Sequence, residues 1–332
     1  MVKSRVLVVG GTGYLGRRIV RTSIAEGHPT FVLRRPEICM DIEKVQMLLS
    51  FKEQGATLVE GSFGDHQSLV DAVKKVDVVI SAISGVHVRS HHILLQLQLV
   101  DAIKEAGNMK RFLPSEFGTD PARMGHALAP GRETFDDKLV VRKAIEESNI
   151  PFTYISANCF MGYFVGGLCQ PGKILPSTES VCMLGDGNVK GNYTSLSLEE
   201  QVELQILLYI SAAYVDENDI AMYIIKTIDD HRTLNKTIYI RPPENILSQR
   251  EVVMAWEQLI GKELKKTSIS EQDFLSIIKE LEYPQQAGYG HFYHIFYEGC
   301  LNNFEIDKGE EASELYPEVV YTRVNNLVMC NS

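Results

Sequence analysis

The sequence contains no Cys-x-x-Cys pair: its six cysteines (Cys39, Cys159, Cys169, Cys182, Cys300, Cys330) stand apart and read as reduced, mostly buried thiols of a cytoplasmic protein. The first strand starts almost at once, and neither a secretory signal nor a transit segment is expected. The uncharged apolar-rich run Leu204 to Val215 is too short to cross a bilayer, and no membrane partner is expected. Positive charge is in deficit, with 33 Lys and Arg against 43 Asp and Glu. The net charge of −10 argues against nucleic acid or an anionic membrane as the main partner. No Gly-x-Ser-x-Gly elbow occurs, which removes a serine hydrolase of that type. None of the 14 tyrosines has a lysine four residues on, so a Tyr-x-x-x-Lys relay is excluded and any proton chemistry lies elsewhere. Internal repeats and low-complexity tracts are also missing, leaving an ordinary globular composition with 45% hydrophobic and 23% charged residues.

What is present begins with Val6-Leu7-Val8-Val9, followed by Gly10, Gly13 and Gly16 in a G-x-x-G-x-x-G run that opens a helical pattern. Small residues let the backbone turn sharply and approach a pyrophosphate, which then meets the free N–H groups of the helix start. Gly10, Gly13 and Gly16 are therefore candidate dinucleotide contacts. The second strand ends on Arg34-Arg35, and Arg35 stands 19 residues after Gly16 with no acid before Glu37. An acid at this place takes the ribose hydroxyls of NAD, whereas arginine accommodates a 2′-phosphate. Arg35 and Lys44 thus point to NADP.

Strands are expected at 5–9, 30–33, 57–60, 77–82, 111–113 and 152–156, and helices at 14–26, 41–54, 66–75, 90–106 and 135–148. This alternation predicts an α/β fold, a doubly wound parallel Rossmann sheet, joined to a smaller α/β substrate-binding lobe. The division is residues 1–157 for the NADP-binding domain and 158–332 for the lobe, with segments of the latter returning to the sheet. Small and polar residues gather at the carboxyl ends of the strands, including Ser84 and the run 114–118, where a cofactor would lie. Ser197 to Ser211 opens with a Ser-x-x-Glu capping box and reads as a helix.

Lys138 is the best candidate base. Thr134 reads as an N-cap, placing Lys138 in the first turn of a helix Phe135–Ser148, on one face with Val141 and Ile145. The helix N-terminus and partial burial both lower a lysine pKa, while Asp136 and Asp137 act the other way. His87 and His91 are spaced i, i+4 without an accompanying acid or cysteine, so a structural role is the better reading and no metal is expected. His291 and His294 sit among aromatics, either as packed interior or as an aromatic-lined pocket with a polar handle for a phenolic substrate. Phe160, Met161, Tyr163 and Phe164 line the same pocket or fill the core.

The glycine run, together with the segments 35–37, 44–81, 107–118, 185–190, 233–249 and 290–300, resembles the plant isoflavone reductase-like family, NmrA-type atypical short-chain dehydrogenases. Segments 85–100 and 118–138 look most like its pinoresinol/lariciresinol reductase group. The resemblance implies an NADPH-dependent reductase, usually a homodimer, that opens a benzylic ether and adds hydride at the benzylic carbon. By that likeness Lys138 takes a phenolic proton of the lignan and the furan ring opens to a quinone methide. Two rounds would carry pinoresinol through lariciresinol to secoisolariciresinol. Gly10, Thr12, Gly13, Tyr14, Leu15, Gly16, Arg35, Lys44 and Ser84 then belong to the cofactor site. Phe160 flanks the nicotinamide, and Met124 and His291 face the substrate. Alternatives are a phenylcoumaran benzylic ether or isoflavone reductase and, outside enzymes, an NADP-sensing regulator. Two stretches depart from the family pattern: an apparent insertion at 192–212, and a C-terminus around 324–329 without the usual helix.

Overall fold

The computed structural model describes residues 2–84, 92–187 and 211–325. Most of the apparent insertion, the capping box at Ser197, His87, His91 and the last seven residues lie outside them. Strands β1 (Val6–Val9), β2 (Thr30–Arg34), β3 (Thr57–Glu60), β4 (Val78–Ser81) and β5 (Arg111–Leu113) form one parallel sheet in the order β3-β2-β1-β4-β5. β6 (Thr153–Ser156) continues that order through a parallel bridge between Phe112 and Phe152, and the strand Lys236–Tyr239 pairs parallel with β6. The order reverses between β1 and β4, so the crevice at the carboxyl ends of these strands is where a ligand can enter.

β1 and β4 are buried along their whole length, since a central parallel strand covered on both faces has no wet side. Val6 and Val8 enter one apolar cluster with Ile19 and Val20, while Leu7 and Val9 enter the other with Leu99 and Ile103. Strand alternation therefore builds a core on each face from four consecutive apolar residues. The covering helices are α1 (Gly16–Ala25), α2 (Ile42–Glu53), α3 (His66–Val73), α4 (Gln96–Ala106) and α5 (Arg132–Glu147). Asp41 and Asp65 cap α2 and α3 by accepting from the backbone N–H groups of Lys44 and Ser68. Gly107 ends α4 at φ +66°, a left-handed conformation that glycine adopts without a Cβ penalty.

Beyond β6 the chain serves both bodies. The helix Glu217–Thr227 returns to α1, its Ile220, Ala221 and Ile224 sharing the cluster of Ile19 and Val20. The second body contains β7 (Cys159–Phe160) beside the strands Ala212–Val215 and Ile246–Leu247, and a parallel pair Ser180–Leu184 with Lys265–Ile269. Its core gathers Met124, Phe135, Met161, Tyr214, Trp256 and Phe292. Among the described residues, no helix is long and apolar enough to cross a membrane.

Candidate active site

The glycine turn closes on itself. Gly13 donates its N–H to the Gly10 carbonyl at 2.9 Å, and Gly10 holds φ +83°. A Cβ on Gly10 would stand 2.6 Å from the carbonyl oxygen of Ala82 at the end of β4, and one on Gly16 only 2.1 Å from that of Gly10. These two glycines are therefore required by backbone packing itself. Leu15, 7% exposed, anchors the turn in the core. Residue Leu15 also occupies the N-cap position of α1 without a side-chain cap; the N–H groups of Arg17 and Arg18 bond back to the Gly13 and Leu15 carbonyls at 3.0 Å, which leaves that of Gly16 for an anion. The turn fits the diphosphate of a dinucleotide.

Charge at the end of β2 is partitioned. Arg34 is ion-paired with Glu60, and Lys44 donates from Nζ to Asp41 at 2.6 Å. The Arg35 side chain is exposed and makes no ion pair or hydrogen bond with another described residue; its carbonyl accepts from the Ile38 N–H at 3.2 Å. Of the two cations that the sequence suggests for a 2′-phosphate, Lys44 thus already has a carboxylate partner, its own helix cap. Ser84 is exposed at the last described position after β4. Ser115, within the run 114–118, ties the ends of β4 and β5 together: its hydroxyl donates to the Ile83 carbonyl at 2.7 Å and its N–H to Gln96 at 2.6 Å.

Tyr14 joins the turn to the second body. Its hydroxyl donates to Glu217 Oε1 at 2.8 Å, and the N–H of Gly162 donates to the same oxygen at 3.2 Å. The Tyr14 ring lies 6.4 Å from that of Phe160 in stacked orientation, with the Arg18 guanidinium 4.4 Å from the ring centre. Burial and the Glu217 bond push the phenol up to about 12, so Tyr14 stays a neutral donor at ordinary pH. Glu217 itself carried no recognisable signal, because an acid after the N-cap Asp216 reads as helix-start decoration.

Helix α5 starts three residues earlier than the sequence suggests, with Gly131 at the N-cap, and Thr134 donates back to the Gly131 carbonyl at 2.8 Å instead of capping. Lys138 is consequently in the second turn, and the helix N-terminus is not what tunes it. Half-buried, it donates from Nζ to the backbone carbonyl of Glu116 at 2.9 Å. Burial pushes its pKa down; the Glu116 carboxylate opposes that and the Arg142 guanidinium adds to it.

Beneath Lys138 lies a buried polar network. Arg142, one helical turn on, donates to both carboxylate oxygens of Glu116, at 2.8 and 2.6 Å, and stands 3.0 Å from Asp120. Tyr239 donates to the other Asp120 oxygen at 2.7 Å. Burial raises the Glu116 pKa against the pull of Arg142; burial likewise disfavours the guanidinium, but the Glu116 bonds outweigh it and hold Arg142 above its usual range.

His291, on the helix Tyr283–Phe296, comes to the start of α5. Its Nε2 lies 3.3 Å from the Gly131 carbonyl and 3.3 Å from the Thr134 hydroxyl, and its ring is 5.0 Å from Phe135. Burial pushes it down to about 4, so it is a neutral imidazole near pH 7. Thr134 and Lys138 are i, i+4 neighbours, so the structure does bring His291 to the face that carries Lys138. Met124, by contrast, is 1% exposed and packed into the core with Phe135, not presented on a surface. His294 is packed interior: Leu128 donates its N–H to Nε2 at 2.9 Å, which puts the proton on Nδ1, facing Glu298 at 2.6 Å. His126, His294 and Glu298 have metal-like spacing, but these two bonds leave His294 no lone pair for an ion.

With this geometry in hand, the comparisons with known proteins are specific. The NmrA-like family model matches residues 2–327. The "Bifunctional pinoresinol-lariciresinol reductase 2" of Linum usitatissimum is 67% identical over 97% of this chain and 92% of its own length. The "Isoflavone reductase homolog" of Lupinus albus is 65% identical over 98% of each chain. Among solved structures, "AtPrR2 with NADP+ and (+)pinoresinol" superposes with a TM-score of 0.91 at 56% identity, covering 99% of both chains. The binary complex of leucoanthocyanidin reductase with NADPH from Vitis vinifera reaches 0.84 at 33% identity, covering 98% of this chain and 99% of that one.

Proposed function

The chain belongs to the NmrA-like family, and from that premise we propose that it is an NADPH-dependent reductase of furofuran and furan lignans, taking pinoresinol to lariciresinol and on to secoisolariciresinol. One observation carries the reading: a half-buried lysine amine, bonded among the described residues only to a neutral carbonyl, lies on a helix face that a neutral histidine approaches, in a chain 67% identical to a reductase named for both substrates.

Gly10, Thr12, Gly13, Tyr14, Leu15 and Gly16 hold the diphosphate of NADPH, Arg35 and Lys44 the 2′-phosphate, and Ser84 and Phe160 the nicotinamide end. Bound NADPH supplies the hydride for the benzylic carbon. Lys138 accepts the phenolic proton of the lignan, so that electron density from the phenolate breaks the benzylic C–O bond and the ring oxygen leaves as an alkoxide. The protonated Lys138 is then the proton donor for that oxygen. His291, neutral and held by Gly131 and Thr134, orients the phenol. Met124, by the family likeness a substrate contact, is buried in the same apolar core as Phe135. A homodimer in the cytoplasm completes the reading; the buried free thiols of Cys159, Cys169 and Cys300 support a reducing compartment.

The direct test is oxidation of NADPH with racemic pinoresinol, followed by chiral analysis of the products. Lariciresinol and then secoisolariciresinol are expected; turnover of a phenylcoumaran or an isoflavone, with pinoresinol untouched, overturns the reading. Sedimentation of the purified protein checks the dimer. For the cofactor, Arg35→Asp should weaken NADPH binding by about 10- to 100-fold, the value of one or two charge-assisted hydrogen bonds at about 1.4 kcal/mol per tenfold. NADH affinity should hold or improve. Fluorescence titration of both cofactors reads this, and equal losses for the two would remove Arg35 from the phosphate site.

A further inference from the structure

Two cations on one face of α5, Lys138 and Arg142, compete for one buried carboxylate, and the outcome bears on how Lys138 can act. We propose that Arg142 is a positioning residue that captures the Glu116 carboxylate and so leaves the Lys138 amine on the neutral carbonyl of that same residue, free to exchange a proton. The inference rests on the reading of Lys138 as the base.

Glu116 offers both kinds of acceptor. Its carboxylate, on a residue 3% exposed, takes the Nε and Nη2 of Arg142 at 2.8 and 2.6 Å, while its backbone oxygen takes Lys138 Nζ at 2.9 Å. A planar guanidinium fork matches a carboxylate with two parallel bonds; an ammonium, a point charge, cannot. Asp120, the other acid facing this site, is also occupied, by Arg142 at 3.0 Å, Tyr239 at 2.7 Å and the Ala122 N–H at 3.1 Å. His291, the titratable group approaching from the helix Tyr283–Phe296, is neutral. Glu116, Asp120 and Arg142 together leave one net negative charge beside Lys138. Were Arg142 uncharged, two buried carboxylates would face the amine with no other cation of the described residues between them. Lys138 would then pair with Glu116, stay protonated and cease to be a base.

The test follows the ionisation of Lys138 without substrate. The wild-type protein and its variants are acylated competitively with acetic anhydride across pH, and the peptide containing Lys138 is quantified by mass spectrometry. Arg142→Gln should raise the titration midpoint of Lys138 by about one pH unit, a tenfold change in free amine at a given pH. Glu116→Gln should lower it, because Arg142, still paired with Asp120, then cancels the net negative charge beside the amine. The double variant Glu116→Gln/Arg142→Met, which keeps the net charge, should return the midpoint to that of the wild type. The acid limb of kcat/KM for pinoresinol should move in the same order. A folded Arg142→Gln with an unmoved midpoint overturns the proposal, as does a double variant that stays shifted. Should Arg142→Gln fail to fold, the near-isosteric Glu116→Gln decides alone: a lower midpoint supports the proposal and an unchanged or higher one overturns it. Because the titration needs no lignan, a protein that titrates as expected yet ignores pinoresinol overturns only the substrate reading.

Discussion

Replacing Lys138 by alanine lowers kcat on pinoresinol by about 10²- to 10⁴-fold, the usual loss for a positioned general base, and leaves NADPH affinity unchanged within about twofold. The separation follows from placement. Lys138 is bonded to the Glu116 carbonyl at 2.9 Å and its other described neighbours are Phe135, Glu116, Asp120, Arg142 and His291, whereas the glycine turn lies at the ends of β1 and β4. The pH dependence has a definite sign. Burial pushes the amine below the ordinary lysine range, so kcat/KM should fall as pH drops through that lowered value, when Lys138 takes up a proton before substrate arrives. The acid limb attributable to Lys138 should vanish in Lys138→Ala. Lys138→Arg should not rescue the rate, because a guanidinium holds its proton at any working pH. Steady-state rates and cofactor titrations on the same preparations check all of this; a variant that keeps rates within tenfold of the wild type places the base elsewhere. An NADP-sensing regulator would be indifferent to the change.

The second large effect is expected at Gly16. A methyl there would stand 2.1 Å from the Gly10 oxygen and 2.9 Å from the Gly10 carbon, both backbone atoms, so the turn must open to admit it. Backbone strain of about 3 kcal/mol in the binding conformation converts to a loss of roughly 100-fold in NADPH affinity for Gly16→Ala. Gly13→Ala should be milder, about tenfold, since its Cβ would meet the Gly10 oxygen at 3.1 Å and needs a displacement of only tenths of an ångström. Isothermal titration with NADPH reads the two constants, and circular dichroism confirms that both variants fold. Equal affinities for the two variants would mean that closure of this turn does not limit binding.

These predictions draw on two kinds of legibility. The glycine turn, the strand–helix alternation and the apolar run Val6–Val9 are local patterns, and the parallel order β3-β2-β1-β4-β5 agrees with them. The pairing of Lys44 with Asp41 was within reach too, three residues apart at a helix cap. Other features had no local signal. Thr134 looks like an N-cap, but the preceding backbone is already helical from Arg132, so its hydroxyl finds the Gly131 carbonyl instead. Met124 sits in a motif that resembles a substrate loop, yet it is 1% exposed in the same apolar core as Phe135. Glu217 reaches Tyr14 across 203 positions, and Tyr239 reaches Asp120 across 119.

By itself, then, the sequence determined a doubly wound nucleotide fold with a glycine turn after its first strand, because periodicity and glycine spacing act within a few residues; the choice of lysine came from likeness to a family. Tertiary structure alone decided what that lysine touches. Glu116 follows β5, Asp120 lies four residues on, Arg142 is in α5 and Tyr239 ends a strand of the returning chain. Burial strengthens each of their interactions and forces every charge to find a partner, and the partners exist only once the chain has folded. The division of one glutamate between an arginine on its carboxylate and a lysine on its carbonyl is a product of packing, and on the reading proposed here it keeps the amine available to a phenol.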